Sequence, residues 1–288
     1  MPDCAPSPSP LDLSAAQDRH APWQASLRLR FVRDGLVTRL VERRHHGPLR
    51  VQKALYPEGG AICHAIVVHP PGGVGGGDTL QIDAAVGEGG HALLTTPGAG
   101  KWYRANGRRS SQQVRLQAGA DAVIEWLPQE TIFFDDAAVR LEHTVELAAG
   151  ARYIGLEILC FGRRAAGEVF TRGAVHQRTQ IRSGDKLVWW EQGAIGAGSA
   201  AMDGRFGLHG ASVCATLIGV GAPLPAPLLA QIRALDPGLA ASQVKSVFVA
   251  RLLGDDSETV RRIMLAAWQL LRPHLLGCAA PIPRIWNT

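Results

Sequence analysis

Charged and aromatic side chains are both scarce in this 288-residue chain: 19% of residues are Asp, Glu, Lys or Arg, and 6% are Phe, Trp or Tyr. Hydrophobic residues nevertheless make up 46%, which excludes a chain too polar to build a core. No apolar run is long enough for a membrane helix. The longest uncharged stretch, Gly210 to Ile232, is interrupted by Pro223, Pro225 and Pro227. The five cysteines, at 4, 63, 160, 214 and 278, never form a C-x-x-C pair; an odd, scattered set argues against a disulfide framework or a zinc knuckle. A reducing cytoplasm is the setting these absences suggest. The first twenty-two residues lack the basic and apolar regions of a secretory signal; rich in Pro and Ser, they read as a disordered tail before one domain over residues 23–288.

Common catalytic signatures are missing as well: there is no G-x-S-x-G and no H-E-x-x-H. The loop "HPPGGVGGGDTL", residues 69–80, fails as a dinucleotide fingerprint because Asp78 stands where a glycine is needed and no helical pattern follows. "PGAGK", residues 97–101, fails as a phosphate loop because Thr95 and Trp102 occupy positions that require Gly and Ser or Thr. Thirty basic against twenty-five acidic residues give a net charge of +5, which suits an acidic protein partner as well as it suits nucleic acid and alone decides nothing. The one dense basic cluster, Arg43-Arg44 followed by His45-His46, lacks interleaved aromatics, so nucleic acid is not an expected partner.

What the chain does have is alternation. "SLRLRFV", "AICHAIVV", "QVRLQA", "AVIEWL" and "VRLEHTVEL" are short apolar runs bounded by turn residues, and they predict strands. Gly60, Gly90, Ala120 and Gly150 are thirty residues apart, and each opens such a run, so stacked β units of a solenoid-like, mainly β domain are expected, with these markers in tight turns of positive φ. On a strict thirty-residue step, Cys63-His64, Leu93-Leu94, Val123-Ile124 and Tyr153-Ile154 would lie over one another. Helical periodicity is confined to the C-terminal third, at 226–235 and at 257–275. In the second of these Ser257 is the expected N-cap, and Val260, Ile263, Met264, Ala267, Leu270 and Leu271 mark one face.

Two sets of carboxylates invite a chemical role. Glu125 or Glu130 with Asp135 or Asp136 would make this a β-solenoid carbohydrate-active enzyme working through paired carboxylates. Glu157 in "GLEILC" and Glu191 in "LVWWEQG" lie within apolar strands, where a charge needs a partner or a wet cavity. His64 and His69, five apart on a strand, point to opposite faces and cannot share a metal. Asp78, closing the glycine loop, reads from the residues alone as a cap that accepts N–H bonds within its own turn.

The runs "GPLRVQKALYPEGGAICHAIVVHPPGGVGGGDTL", "TTPGAGKWYRANG", "EWLPQETIFFDDA", "WQLLRPHLLG" and "PRIWNT", in that order, resemble the UreD (UreH) family of urease accessory proteins. The resemblance runs from about Trp23 to the last residue. It implies a non-enzymatic maturation factor, largely β with a pair of helices and with no tightly bound cofactor. Such a factor acts with UreF and the GTPase UreG on apo-urease and helps deliver transient nickel to a centre bridged by a carbamylated lysine. It implies dimers only through that accessory complex, and no membrane. By position, the acidic residues of the family's nickel passage fall on Asp78, Glu157 and Glu191. Some relatives have Ser or Thr at the position of Gly100, so a hydroxyl there is not essential in this chain.

Overall fold

The structure, a computed structural model, describes residues 21–287; apart from Ala21 and Pro22, the expected tail lies outside the described residues, as does Thr288. The chain begins with a hairpin of β1 (Gln24–Asp34) and β2 (Val37–His46). After the short β3 (Arg50–Val51), β4 (Ile62–Val68) starts a second wall, and β5 (Thr79–Val86) returns to lie parallel to β1 in the first. Two further coils repeat this path. One contains β6 (His91–Thr95), β7 (Gly100–Trp102) and β8 (Ser110–Ala118), and the other β9 (Val123–Leu127), β10 (Thr131–Phe133) and β11 (Ala137–Leu147). β12 (Arg152–Phe161) and β13 (Gly173–Ser183) complete the last coil.

Parallel pairing joins β5, β8, β11 and β13 in the first wall and β4, β6, β9 and β12 in the second. A narrow third face closes one side, where Val74, Trp102, Phe133 and Phe161 stack rung upon rung and are all buried. The coils then stop. β14 (Lys186–Gly196) turns back antiparallel on β13, and after α1 (Ala200–Asp203) β15 (Val213–Val220) runs antiparallel to β12. Beyond α2 (Ala226–Arg233), β16 (Ala240–Val244) and β17 (Val247–Gly254) extend the second wall, and α3 (Ser257–Leu276) packs against its outer face.

Strand side chains alternate between faces, so each wall sends every second residue inward. Leu80, Ile82, Ala84 and Val86 of β5 face Cys63, Ala65 and Val67 of β4 across one core. The opposite phase of the second wall, including Ile154, Leu156 and Ile158, meets Val260, Met264, Trp268 and Leu271 of α3 in another. The helical periodicity therefore marked the correct face, and among its residues only Leu270 is less than fully buried. The N-cap is Asp256, one residue before the expected Ser257; its carboxylate accepts the Thr259 N–H at 3.0 Å, as an acid does well at a helix start.

The thirty-residue period gives the stacking but not its register. Cys63 pairs with Ala92, Ala92 with Ile124 and Ile124 with Tyr153, which are steps of 29, 32 and 29 residues. Loops of unequal length absorb the difference. The left-handed corner residue also drifts. It is Gly59 and Gly89, one before the markers, then Asp121, one after, and finally Gly150 itself. Gly90 is therefore not in a positive-φ turn; its constraint is steric, because an added Cβ would lie 2.9 Å from Val86 Cγ1.

Gly150 combines both constraints, with φ of 71° and a Cβ position only 1.9 Å from Asp121 Oδ1 of the neighbouring corner. Gly150→Val is expected to cost roughly 1 to 3 kcal/mol of stability. Gly35→Asn is the control: φ there is 58° with open space around it, and Asn tolerates that region. Thermal unfolding of the two variants checks this, and equal midpoints would remove the corner argument.

Candidate functional site

The glycine-rich loop packs into the corner between coils. A Cβ on Gly76 would meet the Ala105 carbonyl oxygen at 1.9 Å, so that position admits no side chain, and one on Gly73 would displace the Tyr103 ring, 2.3 Å away. Asp78 ends the loop buried, with its carboxylate accepting the N–H groups of Trp23 and Gly75, each at 2.8 Å. It thereby fastens the start of β1 to the loop, as the capping alternative anticipates.

Beside this loop, between the walls, lies a cavity of about 360 Å³. His69, Gly72 and Gly73 border it on one side and residues 96–101 on another, so the two glycine motifs of the sequence share one mouth. Leu80, Ile82 and Trp126 supply apolar surface, Gln112 and Gln129 supply amides, and Glu157 is the one carboxylate in the lining. Burial lowers the His69 pKa, opposed by the nearby charge of Asp78. Asp78 is not among the lining residues.

Glu157 is on the inward phase of β12, and its carboxylate accepts a hydrogen bond from Gln177 Nε2 at 2.8 Å. Burial, reinforced by the charge of Glu191, pushes it up to about 7. Glu191 reaches over from β14, partly exposed, and pairs with the guanidinium of Arg251 on β17. Strand register explains the meeting: Thr216 on β15 lies opposite both Glu157 and Arg251. Two residues along the same face is Cys214, whose thiol burial pushes up to about 11, with Arg251 opposing and Glu191 and Glu157 adding to the rise. Deeper in, burial drives His143 down to about 4; its Nε2 lies 3.0 Å from the Tyr153 hydroxyl and its Nδ1 has no partner. Among the described residues, no three His, Cys, Asp or Glu side chains are close enough to enclose a metal ion.

The fold thus brings Glu157 and Glu191 together and sets Asp78 apart at the rim. Sequence reading passed over Gln177, Cys214 and Arg251, which become neighbours of the two glutamates only through the antiparallel register of β12, β15 and β17 and the return of β14. Cysteine within an alternating apolar strand gives no signal of its own, since it behaves there as a small hydrophobe.

The other carboxylates are occupied elsewhere. Glu125 faces α3, fully buried, and is held by Arg272 at 2.9–3.1 Å, by His91 at 2.8 Å and by Trp268 Nε1 at 3.3 Å. Arg272 also binds Glu58 at 2.6 Å, and Glu58 binds His64 at 2.7 Å, which accounts for the first of the two candidate histidines. Glu130 lies 3.8 Å from Arg261, and Asp135 accepts the N–H groups of Thr171 and Arg172. Asp136 is in the left-handed region in the same turn, and none of the four lines the cavity. Paired carboxylates flanking a sugar are not what this arrangement provides.

A sequence profile described as UreD urease accessory protein matches residues 24–287. The chain belongs to the UreD family. A protein from Janthinobacterium sp. (strain Marseille) named urease accessory protein UreD is 60% identical over 92% of this chain and 92% of its own. Proteins of the same name from Nitrosospira multiformis and Dechloromonas aromatica are 51% and 48% identical, each aligned over 99% of its length and over 93% and 96% of this chain. As a UreD chain it has a role in urease maturation, and no helix among the described residues is long and apolar enough to cross a membrane.

Two partly buried carboxylates in this UreD chain, Glu58 and Glu157, give opposite pH dependence. Burial alone would raise Glu58, but hydrogen bonds from His64 and Arg272 outweigh it and bring it from 4.5 to about 2. Its contribution, on the order of 3 kcal/mol, is complete above about pH 4.5 and lost as pH falls towards 2. Glu58→Gln should therefore be less stable at neutral pH yet flatter in acid unfolding. Glu157 is raised, so the folded state holds a proton that the unfolded state has released, and stability falls as pH rises from 4.5 through about 7. Glu157→Gln is expected to unfold at a higher temperature than the parent at about pH 8 and at the same temperature at about pH 4 or below. An equal shift at both pH values would mean the carboxylate is not strained by its surroundings.

Proposed function

We propose that this chain is a non-catalytic cytoplasmic scaffold in urease activation, joining apo-urease to the UreF and UreG accessory proteins, and that nickel passes through its interior. The observation that carries the passage is Glu157, a carboxylate on an interior cavity, without a cationic partner of its own and close to a second carboxylate, Glu191. Leaving such a group in a core costs stability, which a structural role does not require. A transit site does require it: oxygen ligands held apart bind a divalent ion loosely enough to release it.

On this reading the ion enters at the mouth shared by the loops at 69–73 and 96–101, meets Glu157, and leaves past Glu191 at the open side between β14 and β17. Asp78 keeps the rim in shape by holding β1 and the loop together. The chain assembles into dimers only through the accessory complex. Exposed Phe206 and Trp190, 94% and 49% accessible, are apolar surface for those partners to cover.

The test is co-expression of apo-urease, UreF and UreG with and without this chain, measuring urease-bound nickel against recovered complex. Glu157→Gln combined with Glu191→Gln is expected to leave the complex intact and lower the nickel loaded per urease. Asp78→Ala, by loosening the rim, should lower complex and nickel together. Full loading by the double variant, or loading that does not depend on the chain at all, would refute the transit reading.

A further inference from the structure

Resting on that reading, a third group on the route is identifiable. The inward phase of β15 carries Cys214, Thr216, Ile218 and Val220, while Val213, Ala215 and Leu217 face α3. Thr216 is directly across from Glu157, so Cys214 is its diagonal neighbour on the same face. Diagonal pairs in an antiparallel sheet have Cβ atoms within roughly 7 to 8 Å, in reach of a long side chain such as glutamate. Arg251, opposite Thr216 on the other flank, binds Glu191 and so brings the second carboxylate over the same patch.

The other described cysteines are placed differently. Cys63 is fully buried at the far end of the interior, Cys160 faces α3, and Cys278 follows that helix. Cys214 and Cys278 are both partly exposed with two carboxylates around them, but those beside Cys278, Glu125 and Glu58, are both held by Arg272, whereas Cys214 has Glu157, which is hydrogen-bonded by the Gln177 amide, as its diagonal neighbour. We propose that Cys214 is a metal-contacting thiol of the passage, sharing the ion first with Glu157 and then with Glu191, and that it makes the route selective for borderline divalent cations over hard ones such as magnesium.

Thiolate sulfur favours nickel or cobalt strongly over magnesium, whereas carboxylates alone discriminate little. On binding, the ion replaces the thiol proton, which leaves to solvent; a sulfur–metal bond forms as the S–H bond breaks, with no change of oxidation state. One sulfur and one carboxylate at a time, completed by water, agree with the lack of any three donors close enough to enclose an ion. Two protein ligands hold an ion long enough to select it and briefly enough to pass it on.

Titration of the full-length chain with nickel(II) or cobalt(II) tests this without any urease present. A sulfur-to-metal charge-transfer absorption is expected, lost in Cys214→Ser and kept in Cys278→Ser; magnesium should neither produce it nor compete. Should Cys214→Ser fold poorly, alkylation of the unaltered chain serves instead: nickel should slow labelling at Cys214 and leave Cys278 unaffected. An absorption that survives Cys214→Ser, or labelling of Cys214 that nickel does not slow, overturns the proposal. Either result leaves the transit reading standing, because that reading fails only on nickel loading of urease.

Discussion

Everything in this molecule follows from stacking coils in parallel with two residues per side-chain repeat. Once the coils are in register, half of every wall strand is committed to one shared interior, and a polar residue in that phase has little contact with water. Gln112, His143, Gln177 and Glu157 are in that phase because their neighbours Leu141, Val145, Ile181 and Leu159 are. The coil therefore concentrates its few inward polar groups in a single strip. Its apolar residues do the rest by excluding water from everything around that strip.

Two carboxylates on opposite faces of one wall, Glu125 fully buried and Glu157 partly so, are accommodated very differently. Glu125, on the helix side, has Arg272, His91 and Trp268 around it, and Arg272 is itself closed off by Glu58 and the Ala279 carbonyl. That cluster ties β9 and the turn before β4 to α3. Removing one member of such a pair strands the other charge, typically at 3 to 5 kcal/mol. Glu157, on the coil side, has an amide and a nearby negative charge, and it responds by holding its proton near neutral pH. The first arrangement stabilises a fold; the second is tolerated by one.

Much of this was legible in the sequence. Alternation gave the strands, the spacing of Gly60, Gly90, Ala120 and Gly150 gave the stack, and the apolar stripe at 257–275 gave the helix and its buried face. Register was not legible, because it depends on loop lengths that periodicity averages away, and so the positive-φ corners fell one residue to either side of three of the markers. Glu157 and Glu191 stood out because charge within an apolar run is anomalous locally. Glu58 and Arg272, 214 residues apart, carried no local anomaly: one lies in a turn and the other in the amphipathic pattern of a helix. Neighbours made only by tertiary structure leave no trace at the spacing of a motif.

The Glu191–Arg251 pair bears on how strongly the strip can hold a cation. On the proposed transit reading, a metal ion beside Glu157 would relieve the repulsion between the two glutamates, and the Arg251 guanidinium would compete with it for Glu191. Because that pair is partly exposed, it contributes little to stability, of the order of 1 kcal/mol or less. On that reading the exchange would be nearly balanced, with the guanidinium neutralising Glu191 in the absence of an ion and yielding to one. Its return as the ion leaves would lower the affinity of the outer position relative to a bare carboxylate. A buried pair such as Glu125–Arg272 could not work in this way, since separating it would strand a charge in the core. A weak pair at the solvent edge between the two walls and a locked pair under α3 are therefore suited to different ends, the second to holding the shape of the fold and the first, on the proposed reading, to releasing an ion.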